Sequence, residues 1–254
     1  MKLEIAVVSA VGAGAAASEG AHRVELCSSL ELGGITPSQG LMEASMEHVD
    51  GRLEIHPLIR PRPGDFQYSA SDVDTMVHEI RHLLAQGAHG VVVGALTPSG
   101  EVDVHAIQRL VDTAKEANPA VQLTFHRAID QSKDPIAALE RLLQLGFTRV
   151  LTSGHAATAG AGLQTLSDMV ERAAGALEIM AGGGLALEDI PAMHAAGLSA
   201  VHLSAKKTVS TLGEGTISLG AQDGADPTAY TVTDREVVRA AKAMVNALNL
   251  DAGI

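Results

Sequence analysis

Along the 254 residues, short runs of β-branched and aliphatic residues alternate with stretches whose apolar positions recur at helical spacing. The runs are LEIAVVS from Leu3, RVELCS from Arg23, LEIHPLIRPR from Leu53, GVVVGAL from Gly90, QLTFHRA from Gln122, RVLTSG from Arg149, LEIMAGGG from Leu177 and AVHLSAK from Ala200. Several of the helical stretches close on a glycine just before the next run, in EGAHRV, QGAHGV, LGFTRV and AGLSAV, which is C-terminal helix punctuation. Asp134-Pro135 opens the fifth helix as a cap followed by proline at the first helical position. Strands separated by helices pair in parallel, and eight such units predict an α/β fold of one domain, the (β/α)8 TIM barrel. An open doubly wound sheet competes, but residues 11–19 carry no G-x-G-x-x-G after the first strand. The barrel core is expected over 1–206. A Gly/Ser/Thr-rich stretch, 207–233, breaks the rhythm and reads as a lid, an interface arm or a disordered loop, with a last helix and tail over 234–254.

Strand side chains alternate faces, so parity sorts them. Leu3, Ile5 and Val7 separate from Glu4 and Ala6. Val24 and Leu26 separate from Glu25 and Cys27, and Ile55 and Ile59 from His56, Leu58, Arg60 and Arg62. Leu123 and Phe125 separate from Thr124 and His126, Ile179 from Glu178 and Met180, and Val201 and Leu203 from His202 and Ser204. The greasy face packs on helices, so Glu4, Glu25, Arg60, His126, Glu178 and His202 fall inside the barrel. Buried charges must pair, bind something or border a wet pocket. A structural Glu–Arg–His network is one reading. The other is a ligand pocket at the C-terminal mouth, where barrel active sites sit. Arg60, Arg62, His126, Arg127 and Asp130 are placed for it. Gly182, Gly183 and Gly184 follow the seventh strand, where backbone N–H groups suit a phosphate or carboxylate.

Composition sharpens this. With 18 Lys+Arg against 30 Asp+Glu the net charge is −12, and aromatic residues are 2% of the chain. A nucleic-acid binder needs cations for phosphates and rings for bases, so that partner is excluded. One Cys forms no internal disulfide and no multi-cysteine metal site. No apolar run reaches the roughly 20 residues that span a bilayer, and the first strand starts at Leu3 with no signal-peptide pattern ahead of it. A cytoplasmic protein without membrane contact is expected.

His78-Glu79-Ile80-Arg81-His82 fits H-E-x-x-H, a zinc protease pattern. Helical phasing sets both histidines opposite the stripe of Val73, Met76, Val77, Ile80, Leu83 and Leu84, so they face solvent on an outer helix. His22, His48, His105 and His194 read as solvated surface residues. Cys27 reads as a buried thiol.

RVELCSSLELGGITPSQGL from Arg23, IRPRPGDFQYS from Ile59, GVVVGALTPSGEVD from Gly90, TFHRAID from Thr124, RVLTSG and IMAGGG together resemble the CutC copper homeostasis family. The blocks come in family order and thin out after Ser204. The resemblance implies a cytoplasmic, oligomeric (β/α)8 barrel with a role in copper handling. It also implies a copper site built on one Cys in the first strand and one in the second. Cys27 matches the second, but Ala6 stands at the first and Val8 at a neighbouring acidic position, so two thiolates cannot meet within this chain. Soft groups remain in Cys27 and Met180, near His126 and His202 by parity.

Two functions are therefore expected to compete. One is a CutC-like copper homeostasis protein that binds copper, with Cys27 as metal ligand. The other is a TIM-barrel enzyme acting on a small phosphorylated or carboxylated metabolite. In the second, Glu25 and His126 are the acid/base candidates, and Arg60, Arg62, Arg127 and Gly182 to Gly184 hold the anion. A third, weaker reading makes 207–233 a docking segment for a partner.

Overall fold

A computed structural model describes residues 1–210 and 229–251. Eight strands alternate with helices: β1 (Lys2–Val7), α1 (Ala10–Ser18), β2 (Arg23–Leu26), α2 (Gln39–Val49), β3 (Glu54–Pro57), α3 (Ala70–Ala85), β4 (Gly90–Val93) and α4 (Val104–Ala117) form the first half. The second half runs β5 (Gln122–Phe125), α5 (Pro135–Leu145), β6 (Arg149–Thr152), α6 (Leu163–Ala173), β7 (Glu178–Ala181), α7 (Ile190–Ala195) and β8 (Ala200–Leu203). The strands are parallel in the order β3-β2-β1-β8-β7-β6-β5-β4. A parallel bridge between Leu58 and Val92, with Ile59 N–H donating to Val92 at 2.8 Å, joins the two ends into the predicted barrel. No helix among the described residues is long and apolar enough to cross a membrane.

Local chemistry sets the helix ends. Asp134 caps α5 through Ile136 and Ala137 N–H, with Pro135 at its first position, and Gly146 ends it in the left-handed region. α3 starts in a Ser69–Asp72 capping box and buries Val73, Met76, Val77, Ile80, Leu83 and Leu84. His78 and His82 lie exposed on its opposite face. Glu79 instead accepts from Thr36 Oγ1 at 2.8 Å.

Segment 207–233 is partly structured. Lys206–Ser210 (β9) pairs antiparallel with Ala229–Thr233 (β10), forming a two-stranded ribbon off the barrel. Residues 211–228, the centre of the expected lid or arm, lie outside the described residues. The last helix, α8 (Arg235–Asp251), packs Val238, Ala241 and Val245 into the core, and its Arg235 and Arg239 hold Glu19 at 3.0 and 2.9 Å.

Parity separates two cores. Leu3, Ile5, Val24, Leu26, Phe125, Ile179 and Val201 join the helices in one large apolar cluster outside the sheet. Inside, among the described residues, lie two small apolar islands, Cys27–Leu58–Val92 and Leu151–Met180–Ala200. Charge fills the rest. The register sets Glu4 beside Arg23 and beside His202, and Arg149 beside Glu178 and Thr124. Arg23 bonds Glu4 next to it and reaches across to Glu178 at 2.6 Å. Arg149 donates to Thr124 at 3.0 Å and to Glu178 at 3.1 Å. Arg23 and Arg149 are the largest fully buried side chains among the described residues.

Removing one member of a buried charge network strands its partners, at a typical cost of about 3–5 kcal/mol. Arg23→Met should therefore lose that much stability in urea unfolding. A loss under about 1 kcal/mol would show that water or rearrangement satisfies Glu4 and Glu178 without it.

Candidate active site

Above the ion-pair layer, at the C-terminal mouth, the interior opens into a cavity of about 280 Å³. Its wall includes Glu25 from β2, Arg60 after β3, His126 and Arg127 after β5, Gly183 and Gly184 after β7, and His202 of β8. Ala6, Leu30, Phe66, Leu185, Ser204 and Lys206 complete much of the lining.

His202 links the two layers. Its Nδ1 lies 2.7 Å from Glu4, and its Nε2 lies 3.8 Å from Glu25. Burial opposes charge on this imidazole, yet the hydrogen bond to Glu4 and the charges of Glu25 and Glu4 outweigh it and raise its proton affinity. Burial would likewise raise Glu4, but Arg23, His202 and Arg149 hold its carboxyl well below the usual carboxylate range. Glu25 has only His202 to offset its desolvation. Burial, with Glu4 adding to it, pushes Glu25 up to about 7.

His126 is tuned the other way. Burial, and then the Arg60 charge, take it down to about 3. Its Nδ1 accepts from Ala128 N–H at 3.1 Å, so the neutral ring carries its proton on Nε2. That Nε2 is buried without a partner. The ring fits because Gly94 has no Cβ, which would stand 2.4 Å from His126 Cε1.

Arg60 is clamped by the carbonyls of Leu32, Gly34 and Gly64 at 3.2, 2.9 and 2.7 Å and stacks 5.0 Å over Phe66. Its Nε is likewise buried and unpartnered. Arg127 is aimed by Asp130 at 2.8 Å and Ser153 at 3.1 Å. It lies on Gly183, whose φ of +97° and missing Cβ both require glycine.

Several expected residues stand elsewhere. Arg62 does not join the wall: β3 ends at Pro57, alternation stops, and Arg62 turns out to Asp65 at 2.9 Å, Gln67 at 2.6 Å and the Tyr68 ring. Gly182 is absent from the lining and packs against Leu151 and His202. Cys27 is sealed between Leu58 and Val92, with Sγ 3.8 Å from the Val7 carbonyl, and burial drives its thiol pKa far up. His22 is no surface residue. Half buried, it accepts Leu3 N–H at 2.9 Å, and burial followed by the Lys242, Lys2 and Arg23 charges lowers it to about 4. The sequence pattern does not single out Arg23 and Arg149 as interior residues, although Arg23 shares its parity with Glu25 and Arg149 with the inward Leu151.

Glu25 keeps its proton in the folded chain between its ordinary pKa and about 7, and loses it more readily when unfolded. Stability from this group is therefore lost as pH rises through that window. Glu25→Gln should match the parent at pH 4.5 and exceed it by roughly 2–3 kcal/mol at pH 8 in denaturant titrations. A pH-independent difference would show that Glu25 is not held protonated.

The chain matches the CutC family over residues 1–207. A CutC family protein of Vibrio atlanticus is 40% identical over 235 residues, covering 91% of this chain and 93% of that one. Another from Proteus mirabilis is 38% identical over 244 residues, 95% of each chain. Among solved structures, CutC of Streptococcus agalactiae, named for copper homeostasis, superposes with a TM-score of 0.75 at 27% identity, over 80% of this chain and 98% of that one. Thiamine phosphate pyrophosphorylase of Pyrococcus furiosus shares the fold alone, with a TM-score of 0.58 at 14% identity over 97% and 96% of the chains. The blocks of sequence, the barrel they build and these relatives agree: the chain is a member of the CutC family.

Proposed function

We propose that this chain, from a family named for copper homeostasis, works by binding a small organic anion at the barrel mouth. The observation that carries this reading is a cavity whose wall holds the buried Arg60 guanidinium, met by three carbonyls and, among the described residues, by no carboxylate. An anion in the cavity supplies the counter-charge that this cation lacks. Arg127, Lys206 and the glycine turn at 183–184 add cationic and backbone donors to the same wall.

The residues present do not fit a Cu(I) site. Cys27 is enclosed by aliphatic side chains and strongly favours the thiol over the thiolate that binds metal. Met180 turns its sulfur to Arg23 Nη2 at 3.3 Å, a cation that repels another. His126 shares its wall with Arg60 and Arg127. Among the described residues no cluster of three or more His, Cys, Asp or Glu is gathered for a metal.

Calorimetric titration with inorganic phosphate, and Cu(I) competition under reducing conditions, test this reading. Phosphate should bind the parent and Arg62→Ala alike and bind Arg127→Ala about 10-fold or more weakly. Cu(I) affinity should be the same in Cys27→Ala. A Cu(I) affinity that collapses in Cys27→Ala, or phosphate binding indifferent to Arg127, would overturn it.

A further inference from the structure

Positive charge at the mouth is gathered on two sides of the cavity. One side is Arg60, which follows β3. The other lies at the ends of β7 and β8, and β7 stands four strands from β3 whichever way the closed ring is followed. A single anionic group can neutralise one side and not the other.

The β7–β8 side is a built cradle. Gly183, Gly184 and Ser204 line the cavity, and their N–H groups meet no acceptor among the described residues. Arg127 reaches over from the end of β5 to lie against Gly183, where a Cβ would stand 2.5 Å from its Cζ. Asp130 takes its Nε and Ser153 its Nη2, while Nη1 has no acceptor among the described residues. The side chain is 43% exposed, so it presents surface to a ligand. At Ala205 the backbone takes a φ of +38°, a left-handed conformation that is costly for alanine, and Lys206 directly after it stands in the same wall. Backbone donors, a hydroxyl and two cations together match the three oxygens and double charge of a phosphate monoester. A carboxylate has fewer oxygens and less charge than this set can meet.

The β3 side is of another kind. Arg60 is only 5% exposed and its guanidinium is held by three carbonyls, so it acts through charge in a low-dielectric wall. Those carbonyl oxygens oppose a dianion, whereas one carboxylate balances one guanidinium. Leu58, Phe66 and Leu151 line the same cavity and suit a short carbon chain. The volume of about 280 Å³ admits on the order of ten non-hydrogen atoms.

We propose that the ligand carries two anionic groups, a phosphate monoester seated on the β7–β8 cradle and a carboxylate turned toward Arg60, joined by a short carbon chain. The proposal rests on the anion-pocket reading above and adds the ligand's class and its direction in the cavity. Glu25, in the same wall, is kept protonated by burial below about pH 7, so there it sets no negative charge beside either group.

Calorimetric titration at pH 6.5, below the Glu25 value, tests the two ends separately. The probes are 2-phosphoglycolate with both groups, glycerol 3-phosphate with the phosphate alone, and succinate with carboxylates alone. Phosphoglycolate should bind the parent about 10-fold or more tightly than either of the others. Lys206→Ala and Ser204→Ala should each weaken phosphoglycolate and glycerol 3-phosphate together, by about 3-fold or more. Arg60→Met should erase the advantage of phosphoglycolate over glycerol 3-phosphate, with its melting temperature checking that it folds. If it does not fold, the ratio of the two esters on the parent still decides. Arg62→Ala should change nothing. If glycerol 3-phosphate, succinate or inorganic phosphate binds the parent as tightly as phosphoglycolate, the two-group ligand is overturned and the anion pocket stands. Ester binding indifferent to both Lys206→Ala and Ser204→Ala overturns the cradle, and the proposal with it. If neither phosphoglycolate nor inorganic phosphate binds, the pocket reading falls first and takes this one with it.

Discussion

Everything above the barrel floor depends on one guanidinium. Arg23 lies fully buried between Glu4, its neighbour on β1, and Glu178, three strands away on β7. A barrel interior must be filled, and most are filled with branched aliphatic layers. Here the lower layer is ionic, which is tolerable only because each charge meets its opposite at hydrogen-bond distance. Those pairings are also the strand register. Shifting β1 or β2 by one residue would turn Glu4 or Arg23 toward the helices, where no counter-charge waits, so the ion pairs penalise slippage as strongly as the apolar face does.

The same floor sets the chemistry of the mouth. Arg23 and Arg149 use their charge on Glu4 and Glu178, leaving Glu25 to His202 alone. His202 in turn is drawn toward Glu4, nearer by about an ångström than Glu25. Glu25 thus sits at the end of a chain of pairings with an incomplete share. Its proton affinity is raised by burial, which the network completed below leaves only His202 to offset. Beyond β3, the strand next to that of Glu25, Arg60 meets three carbonyls and, among the described residues, no carboxylate, and its charge adds to burial in keeping His126 neutral. Two titratable groups across one cavity are driven in opposite directions, which is the environment acid–base chemistry requires.

Much of this was legible in the chain. Alternation in six strands was enough to sort the greasy face from the polar one, and glycine punctuation counted the units. It gave Glu4, Glu25, Glu178 and His202 as interior because those residues lie within regular strands. Arg62 leaves its expected place because alternation holds only while the backbone stays extended, and β3 ends five residues earlier. His22 differs from its surface reading because a polar side chain just before a strand has the same pattern as a solvated one. Its real task, accepting the Leu3 N–H at the barrel's lower rim, depends on a neighbour 19 positions away. Arg23 and Arg149 open their strands, where arginine ordinarily meets solvent. Arg149 meets Glu178 as its register neighbour on β7, but only the curvature of the barrel, which no local pattern expresses, brings Arg23 to the same carboxylate.

The net charge of −12 looks hostile to an anionic ligand, but distance decides otherwise. Exposed surface carboxylates more than a Debye length away, about 8 Å at physiological salt, are largely screened at the mouth. Donors in a buried wall are screened far less and interact through a lower effective dielectric. Arg60 and His126 are therefore felt by a ligand only once it has entered, while Arg127 and Lys206, nearer solvent, are felt on approach. Recognition of this kind is short-ranged. Under the proposed reading such a pocket draws in few anions from a distance and holds those that enter through charge that salt screens weakly.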